Sequence, residues 1–170
     1  MSRNHFSFLY FFLAVLLLLI VSCRNDTAES TSATDIKIPP ISLHYFFTAE
    51  MTFQNIFIND SQLSYSYFDP RTKECTPFRQ APCWTEQDIL TTVRELSPEE
   101  RRTLSAVIDA SGFLDLEQEE EPEGKRFYTY LLSVILGNQS KEIRYYADND
   151  PSNPMPESFA AVRDTLFELI

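Results

Sequence analysis

The chain has 170 residues, with 25 acidic against 14 basic side chains, so its formal net charge at neutral pH is −11. An acidic surface argues against nucleic acid as a partner and against direct contact with anionic lipid, because both carry negative charge. Aromatic residues make up 14% of the chain and only three residues are glycine, a composition typical of a β-rich folded domain.

The first segment has the layout of a secretory signal peptide. One basic residue, Arg3, precedes an apolar run over residues 6–21 that only Ser7 interrupts. A membrane-spanning helix is the alternative, but it takes about 20 apolar residues, and this run lacks the flanking Lys/Arg cluster of a stop-transfer segment. The run closes on the tetrad Ile20-Val21-Ser22-Cys23: a branched apolar residue, a tolerant position, a small residue and a cysteine.

This tetrad resembles the lipobox of bacterial lipoproteins. The resemblance implies that residues 1–22 are a signal peptide cleaved between Ser22 and Cys23, and that Cys23 carries the lipid. Acyl chains anchor firmly because each buried methylene contributes about 0.8 kcal/mol. Since Arg24 is not the aspartate that retains lipoproteins in the inner membrane, we expect an outer-membrane anchor with the domain facing the periplasm or the exterior. An uncleaved signal anchor with an incidental cysteine is the alternative.

The next residues indicate a tether, a single domain and one disulfide bond. Residues 23–40 are polar and aperiodic, too poor in apolar surface to fold, and predict a flexible tether. Residues 41–170 then form one domain of ordinary size. With Cys23 assigned to lipid, Cys75 and Cys83 remain, and an even pair in an exported protein predicts a disulfide. Two free thiols are the alternative.

The domain opens with three predicted strands in an antiparallel meander. Over residues 41–48 the alternation places Ile41, Leu43, Tyr45 and Phe47 on one face. Residues 51–58 form a second apolar run, in which Gln54-Asn55 disturbs the alternation and indicates a bulge. After a turn at 59–61, residues 62–68 alternate again.

Residues 85–96 fit a helix or a strand, and we favour a strand because a strong helix start follows at once. Ser97 and Glu100 form a capping box around Pro98, which occupies the first helical position. Gly112 supplies the left-handed residue that ends this helix, so that Phe113 can fold back on its last turn.

A hairpin and a second helix complete the domain. An acidic loop over 117–124 leads into two strands that meet at a turn over 137–140, and the last helix begins at about Pro156. This order predicts an α+β fold: an antiparallel sheet of five to six strands, covered on one face by two helices. A helix opened by LSPEE and ended by Gly-Phe, then a hairpin and a final helix, looks like many small uncharacterised bacterial lipoprotein domains. That resemblance implies no known activity.

We identify no catalytic residue, metal site or cofactor motif in the sequence. His44 is the only histidine after the leader, and it falls on the polar face of its strand, so a surface or hydrogen-bonded role is favoured over a catalytic one. The glutamates of 117–123 are typical of a solvated loop. The Asp-x-Asp pair at Asp148 lacks the glycine and distal glutamate of an EF-hand loop and indicates a turn.

Four aromatic residues lie on the opposite parity from the predicted inward sets: Phe46, Phe68, Phe127 and Tyr146. Because helices cover only one face of the predicted sheet, exposed aromatics on the other face would form a contact surface. We therefore expect a lipid-anchored, non-enzymatic binding module of the cell envelope, with the membrane and an envelope protein as its partners. The alternatives are an inhibitor-like module that blocks an envelope enzyme through a sheet face or the 75–83 loop, and a carboxylate-based hydrolase.

Overall fold

The computed structural model describes residues 38–75, 82–124, 127–147 and 153–170. The predicted signal peptide, the lipobox residues Ser22 and Cys23, the tether as far as Lys37 and the Asp148 turn lie outside these residues. The elements, in chain order, are the strands β1 Ile41–Ala49, β2 Thr52–Asn59, β3 Gln62–Phe68 and β4 Ile89–Glu95, the helix α1 Pro98–Ser111, the strands β5 Tyr128–Leu136 and β6 Gln139–Ala147, and the helix α2 Glu157–Glu168. Within the described part of the chain, no helix has the length and apolar character needed to cross a membrane.

The six strands form one antiparallel sheet in the order β4-β3-β2-β1-β5-β6, which confirms the predicted α+β fold. The strand β1 lies at the centre and pairs with both β2 and β5. The first four strands form a meander, and β5 and β6 form a hairpin in which β5 pairs with β1.

The predicted bulge at Gln54-Asn55 is wrong, because β1 and β2 stay in one continuous register from Ser42↔Asn59 to Ala49↔Thr52. Both amides find partners across the strand pair instead. His44 Nε2 lies 2.9 Å from the Asn55 side-chain oxygen on one face, and the Tyr45 hydroxyl donates to Gln54 at 3.5 Å on the other. Polar side chains satisfied in this way leave the ladder intact.

The hydrophobic core lies between the two helices and one face of the sheet, which we call the inner face. The predicted inward residues of β1, β3, β5 and β6 contribute to it, and both helices contribute an apolar stripe with i, i+3, i+4 spacing. Burial of the Tyr45 ring in this core raises the pKa of its hydroxyl. The fully buried helix residues are Leu104, Ile108, Phe159, Val162 and Leu166.

The signals around α1 act as predicted. The Ser97 hydroxyl accepts a hydrogen bond from the Glu100 backbone N–H at 3.2 Å, and the Glu100 carboxylate accepts one from the Ser97 N–H at 2.7 Å. Gly112 takes the left-handed conformation with φ of 76°, and Phe113 is completely buried behind it. Before α1, residues 86–88 form a single 3-10 turn and the favoured strand follows as β4.

Candidate binding groove

The second face of the sheet, which we call the outer face, carries the alternate side chains of all six strands. Both helices pack against the inner face, so the described helices leave the outer face uncovered. Three apolar side chains there are about half exposed: Phe57 at 46%, Val93 at 58% and Ile135 at 47%. Large apolar side chains exposed on one face are a feature of interaction surfaces.

An open groove of about 430 Å³ lies on this face, over β1, β5 and β6. The strand register explains its floor, because Phe46 pairs with Leu131, and Leu131 pairs with Arg144, so that the three side chains lie side by side. A volume of this size falls in the range of sites for small molecules or for a single inserted side chain. The lining residues are Phe46, Thr48, Glu121, Phe127, Thr129, Leu131, Arg144 and Tyr146.

The acidic loop after α1 supplies one wall of the groove. Its Gln118 side chain binds the backbone of the edge strand β6, accepting from the Arg144 N–H at 2.8 Å and donating to the Arg144 carbonyl at 3.0 Å. This pair of bonds fixes the loop along the sheet edge, and Glu121 then reaches the outer face. The acidic composition of this loop is predicted from the sequence, but no local sequence pattern indicates that Gln118 binds the backbone of Arg144.

Aromatic rings make up much of the groove and its surroundings. Phe127 contacts Tyr146 edge to face, with ring centroids 5.0 Å apart. On the other side, Phe46 contacts Phe53 at 5.8 Å, and Phe53 contacts Trp84 at 4.9 Å, both in T-shaped arrangements. Packed rings of this kind restrict one another's movement, and the rest of the lining apart from Glu121 and Phe127 lies on β1, β5 and β6.

The two charges on the groove differ in their partners. The Arg144 guanidinium pairs with Glu142 at 3.1 Å. The Glu121 carboxylate is exposed, and no ion pair joins it to any other residue that the structure describes. Among the described residues, the groove therefore offers aromatic faces, two threonine hydroxyls, the paired guanidinium of Arg144 and a Glu121 carboxylate without an ion-pair partner.

Three of the four predicted contact residues meet at this groove: Phe46, Phe127 and Tyr146. Phe68 lies elsewhere on the outer face, paired with Ile89 of β4. Phe68 and Tyr146 are only 5% and 7% exposed, so the expectation of exposed rings is wrong for these two. Parity along a strand identifies the face of a side chain, whereas its exposure depends on loops and neighbours from distant sequence.

The predicted disulfide partners lie at bonding distance, and the structure joins Cys75 to Cys83 with their Cα atoms 5.6 Å apart. The base of this loop is fixed to the β1–β2 hairpin, where the Cys83 N–H donates to the Glu50 carbonyl at 2.9 Å and the Trp84 indole donates to the Ala49 carbonyl at 3.2 Å. Residues 76–81 between the cysteines are outside the described residues.

The described residues contain no cluster of three or more side chains suited to a metal ion. His44, whose side chain contacts Asn55, is half-buried beside the groove and does not line it. Glu121 is the single carboxylate of the lining. The described part of the groove therefore lacks the pair of converging carboxylates on which the hydrolase alternative depends.

Comparison with known proteins adds no family to this description. No protein-family model matches the chain, and no curated protein matches it either.

Proposed function

We propose that this protein is a bacterial lipoprotein, anchored through Cys23, that works in the cell envelope as a non-enzymatic binding module. The observation that carries the proposal is the aromatic groove on the uncovered outer face of the sheet. Preformed concave sites with aromatic walls and a few polar groups are the usual form of binding sites. The resemblance of Ile20-Val21-Ser22-Cys23 to a lipobox supports the anchor, and the polar composition of residues 23–40 supports a tether between the anchor and the domain.

The chemistry of the groove favours a partner protein that inserts a basic side chain. A lysine or arginine over the accessible face of Phe127 gains cation–π attraction, and the carboxylate of Glu121 lies at the same groove. The positive charge of Arg144 would repel a basic side chain, but the Glu142 carboxylate that pairs with Arg144 partly offsets this repulsion. The net charge of −11 favours a basic partner at longer range.

A crosslinker placed inside the groove tests the proposal. The full chain, expressed in its native membrane, would carry a photoreactive phenylalanine analogue in place of Thr129, which lines the groove. We expect one partner protein to be captured on illumination and identified by mass spectrometry. Glu121→Lys and Phe127→Ala should each abolish the capture, because one reverses the charge and the other removes an aromatic wall.

Matched variants separate the groove from the rest of the molecule. Ile135→Ala changes an exposed apolar side chain on the same face outside the groove, and Glu168→Lys reverses a charge at the end of α2. Both should capture the partner as the wild type does. Cys23→Ser should weaken capture by releasing the protein from the membrane. Capture that is the same in all variants, or absent from properly anchored wild type, would exclude the proposed groove.

The disulfide loop supports a second candidate, an inhibitor-like module. The base of this loop is closed by Cys75–Cys83 and bonded to the β1–β2 hairpin, and constraining a segment in this way lowers the entropy that binding to an enzyme would cost. Replacing residues 76–81 by a Gly/Ser linker of equal length should then abolish binding to an envelope enzyme while the groove crosslink persists. If Glu121→Lys and Phe127→Ala abolish capture while the 75–83 loop is unchanged, the first candidate is favoured.

A further inference from the structure

The two edge strands of the sheet, β4 and β6, differ in how many of their outward backbone groups are hydrogen-bonded. At β6 the chain covers its own edge, since the Gln118 side chain bonds both the N–H and the carbonyl of Arg144. Asn153 adds a bond from its side-chain amide to the Tyr146 carbonyl at 3.4 Å. Exposed strand edges pair readily with other strands, and a loop placed over an edge prevents this. The β6 edge is therefore covered at Arg144 and at the Tyr146 carbonyl, and Lys141 and Glu142 place charged side chains on the part of the strand before them.

The β4 edge is open. The Leu96 N–H donates to the Ser61 carbonyl, and antiparallel pairing alternates, so the even-numbered residues of β4 point their backbone groups at β3. The N–H and carbonyl groups of Thr91 and Val93 consequently point away from the sheet. No hydrogen bond reaches them from the other described residues. The strand presents two free donors and two free acceptors in the geometry of a sheet ladder.

The side chains of β4 do not protect this edge. Leu90 on the inner-face side is 45% exposed and Val93 on the outer face is 58% exposed. The strand, ILTTVRE, contains no proline or lysine, the residues that commonly block edges. Its arginine is engaged elsewhere, because Arg94 bends toward the helices, where it pairs with Glu100 at 2.7 Å and donates to the Leu169 carbonyl.

We propose that β4 pairs with β4 of a second copy of this chain, antiparallel, to form a continuous twelve-stranded sheet. With the two-fold axis at Thr92, the outward groups of Thr91 in one copy meet those of Val93 in the other, and the reverse. The described β4 edge is open, whereas β6 is partly covered and carries charged side chains, so pairing through β4 ends at two copies and forms a closed dimer.

The charges of β4 fit a second copy as well. In this register Arg94 lies opposite Leu90 of the other copy and Glu95 lies opposite Ile89, so no like charges face each other across the pair. The strand carries one arginine and one glutamate and is neutral overall, on a molecule whose net charge is −11. Two such acidic molecules repel least where a neutral strip of each faces the other. Leu90 and Val93 would both become covered.

Cysteine crosslinking of the full chain in membranes tests the dimer. Directly opposed residues of the non-hydrogen-bonded type have Cα atoms about 4.5 Å apart, which suits a disulfide. Thr92→Cys should therefore give a species of twice the monomer mass on mild oxidation that disappears on reduction. The matched control is Glu142→Cys, an exposed position on the other edge strand, β6, beside the charged Lys141 and Arg144, which should remain monomeric. Equal crosslinking in both variants, or no crosslink with Thr92→Cys, would overturn the proposal.

Two further variants in the Thr92→Cys background address the edge itself. Thr91→Pro removes an N–H that points away from β3, so the β3–β4 ladder is kept. Val93→Lys places a charge at an exposed edge position and leaves the fold unchanged. Thr91→Pro should reduce the crosslinked dimer about tenfold, as expected from losing one or two net hydrogen bonds. Val93→Lys should also reduce it, because the two lysines lie diagonally across the strand pair and repel each other. The Thr129 photocrosslink to the partner should persist in both. Unchanged dimer in Val93→Lys, or a disulfide to a different protein, would contradict self-pairing.

Discussion

Phe113 packs at the junction between α1 and the rest of the core. It follows the left-handed Gly112, is completely buried, and its ring lies 6.1 Å from that of Phe159 in α2. We expect Phe113→Ala to lower the free energy of unfolding by about 3–5 kcal/mol, because it leaves a cavity between the helices and the sheet. Phe57→Ala, which truncates a ring 46% exposed, should cost less than about 1 kcal/mol. Urea denaturation measures both, and equal losses would contradict this assignment of the core.

Glu100 makes the stability of the protein depend on pH. A hydrogen bond from Arg94, with others from Ser97, lowers the pKa of Glu100 to about 2 from a usual value of 4.5. The folded state therefore favours the charged carboxylate, and its contribution to stability is complete above pH 4.5 and is lost as the pH falls towards 2. The free energy of unfolding of wild type minus that of Glu100→Gln should shrink over this window.

The control for this measurement is Glu99→Gln, which removes the same charge from the same helical turn. Glu99 is on the solvent side of α1 and has no contact with Arg94 among the bonds that the structure shows. Denaturation at several pH values between 2 and 7 would compare the two variants. A pH dependence that is the same for both would mean that the charge near the helix start matters, and the Arg94 contact does not.

Among the elements, the loop closed by Cys75–Cys83 lends itself to a direct test. Closing a loop of this length restricts the unfolded chain, and loop-entropy reasoning gives about 2–3 kcal/mol. We expect the paired change Cys75→Ser and Cys83→Ser to lower the free energy of unfolding by about this amount, with the sheet retained because both cysteines lie outside β1–β6. Circular dichroism during urea unfolding measures the free energy of unfolding and, before urea is added, shows whether the native sheet is retained. Loss of the native spectrum in buffer would show a larger role for the loop.

Element by element, the sequence predicts local structure well. Alternation assigns the inner face of β1, β3, β5 and β6, and the Ser97 capping box places the start of α1. These signals arise from neighbours a few residues apart. The prediction of a bulge at Gln54-Asn55 failed because the two amides are satisfied by side chains of β1, a contact that no local pattern contains.

The candidate groove is predicted only in part, for the same physical reason. Parity identifies Phe46, Phe127 and Tyr146 as residues of one face. It does not bring them together with Glu121, because that depends on the Gln118 side chain binding the backbone of Arg144. The open edge of β4 is equally invisible to periodicity, since strand order follows from long-range pairing.

At the scale of the whole molecule, the net charge of −11 makes opposite predictions for the two proposed interactions. Capture of a basic partner at the groove should weaken as salt is raised, because screening shortens the attraction to within about 10 Å at 0.1 M. Self-pairing through β4 should strengthen, because the same screening reduces repulsion between two acidic copies. Measuring the Thr129 photocrosslink and the disulfide formed by the Thr92→Cys variant over a salt series distinguishes the two. Both yields moving in the same direction would contradict one assignment.

The central place of β1 also fixes when the molecule can finish folding. One side of β1 pairs with β2, which follows it at once in the chain, but the other pairs with β5, as in Ile41↔Leu136. During synthesis the first strand is therefore made early and stays without its second neighbour until the last quarter of the chain emerges. Such non-local closure makes folding slow and exposes an unpaired strand on the way. A growing chain of this protein needs protection from neighbouring chains for most of its synthesis.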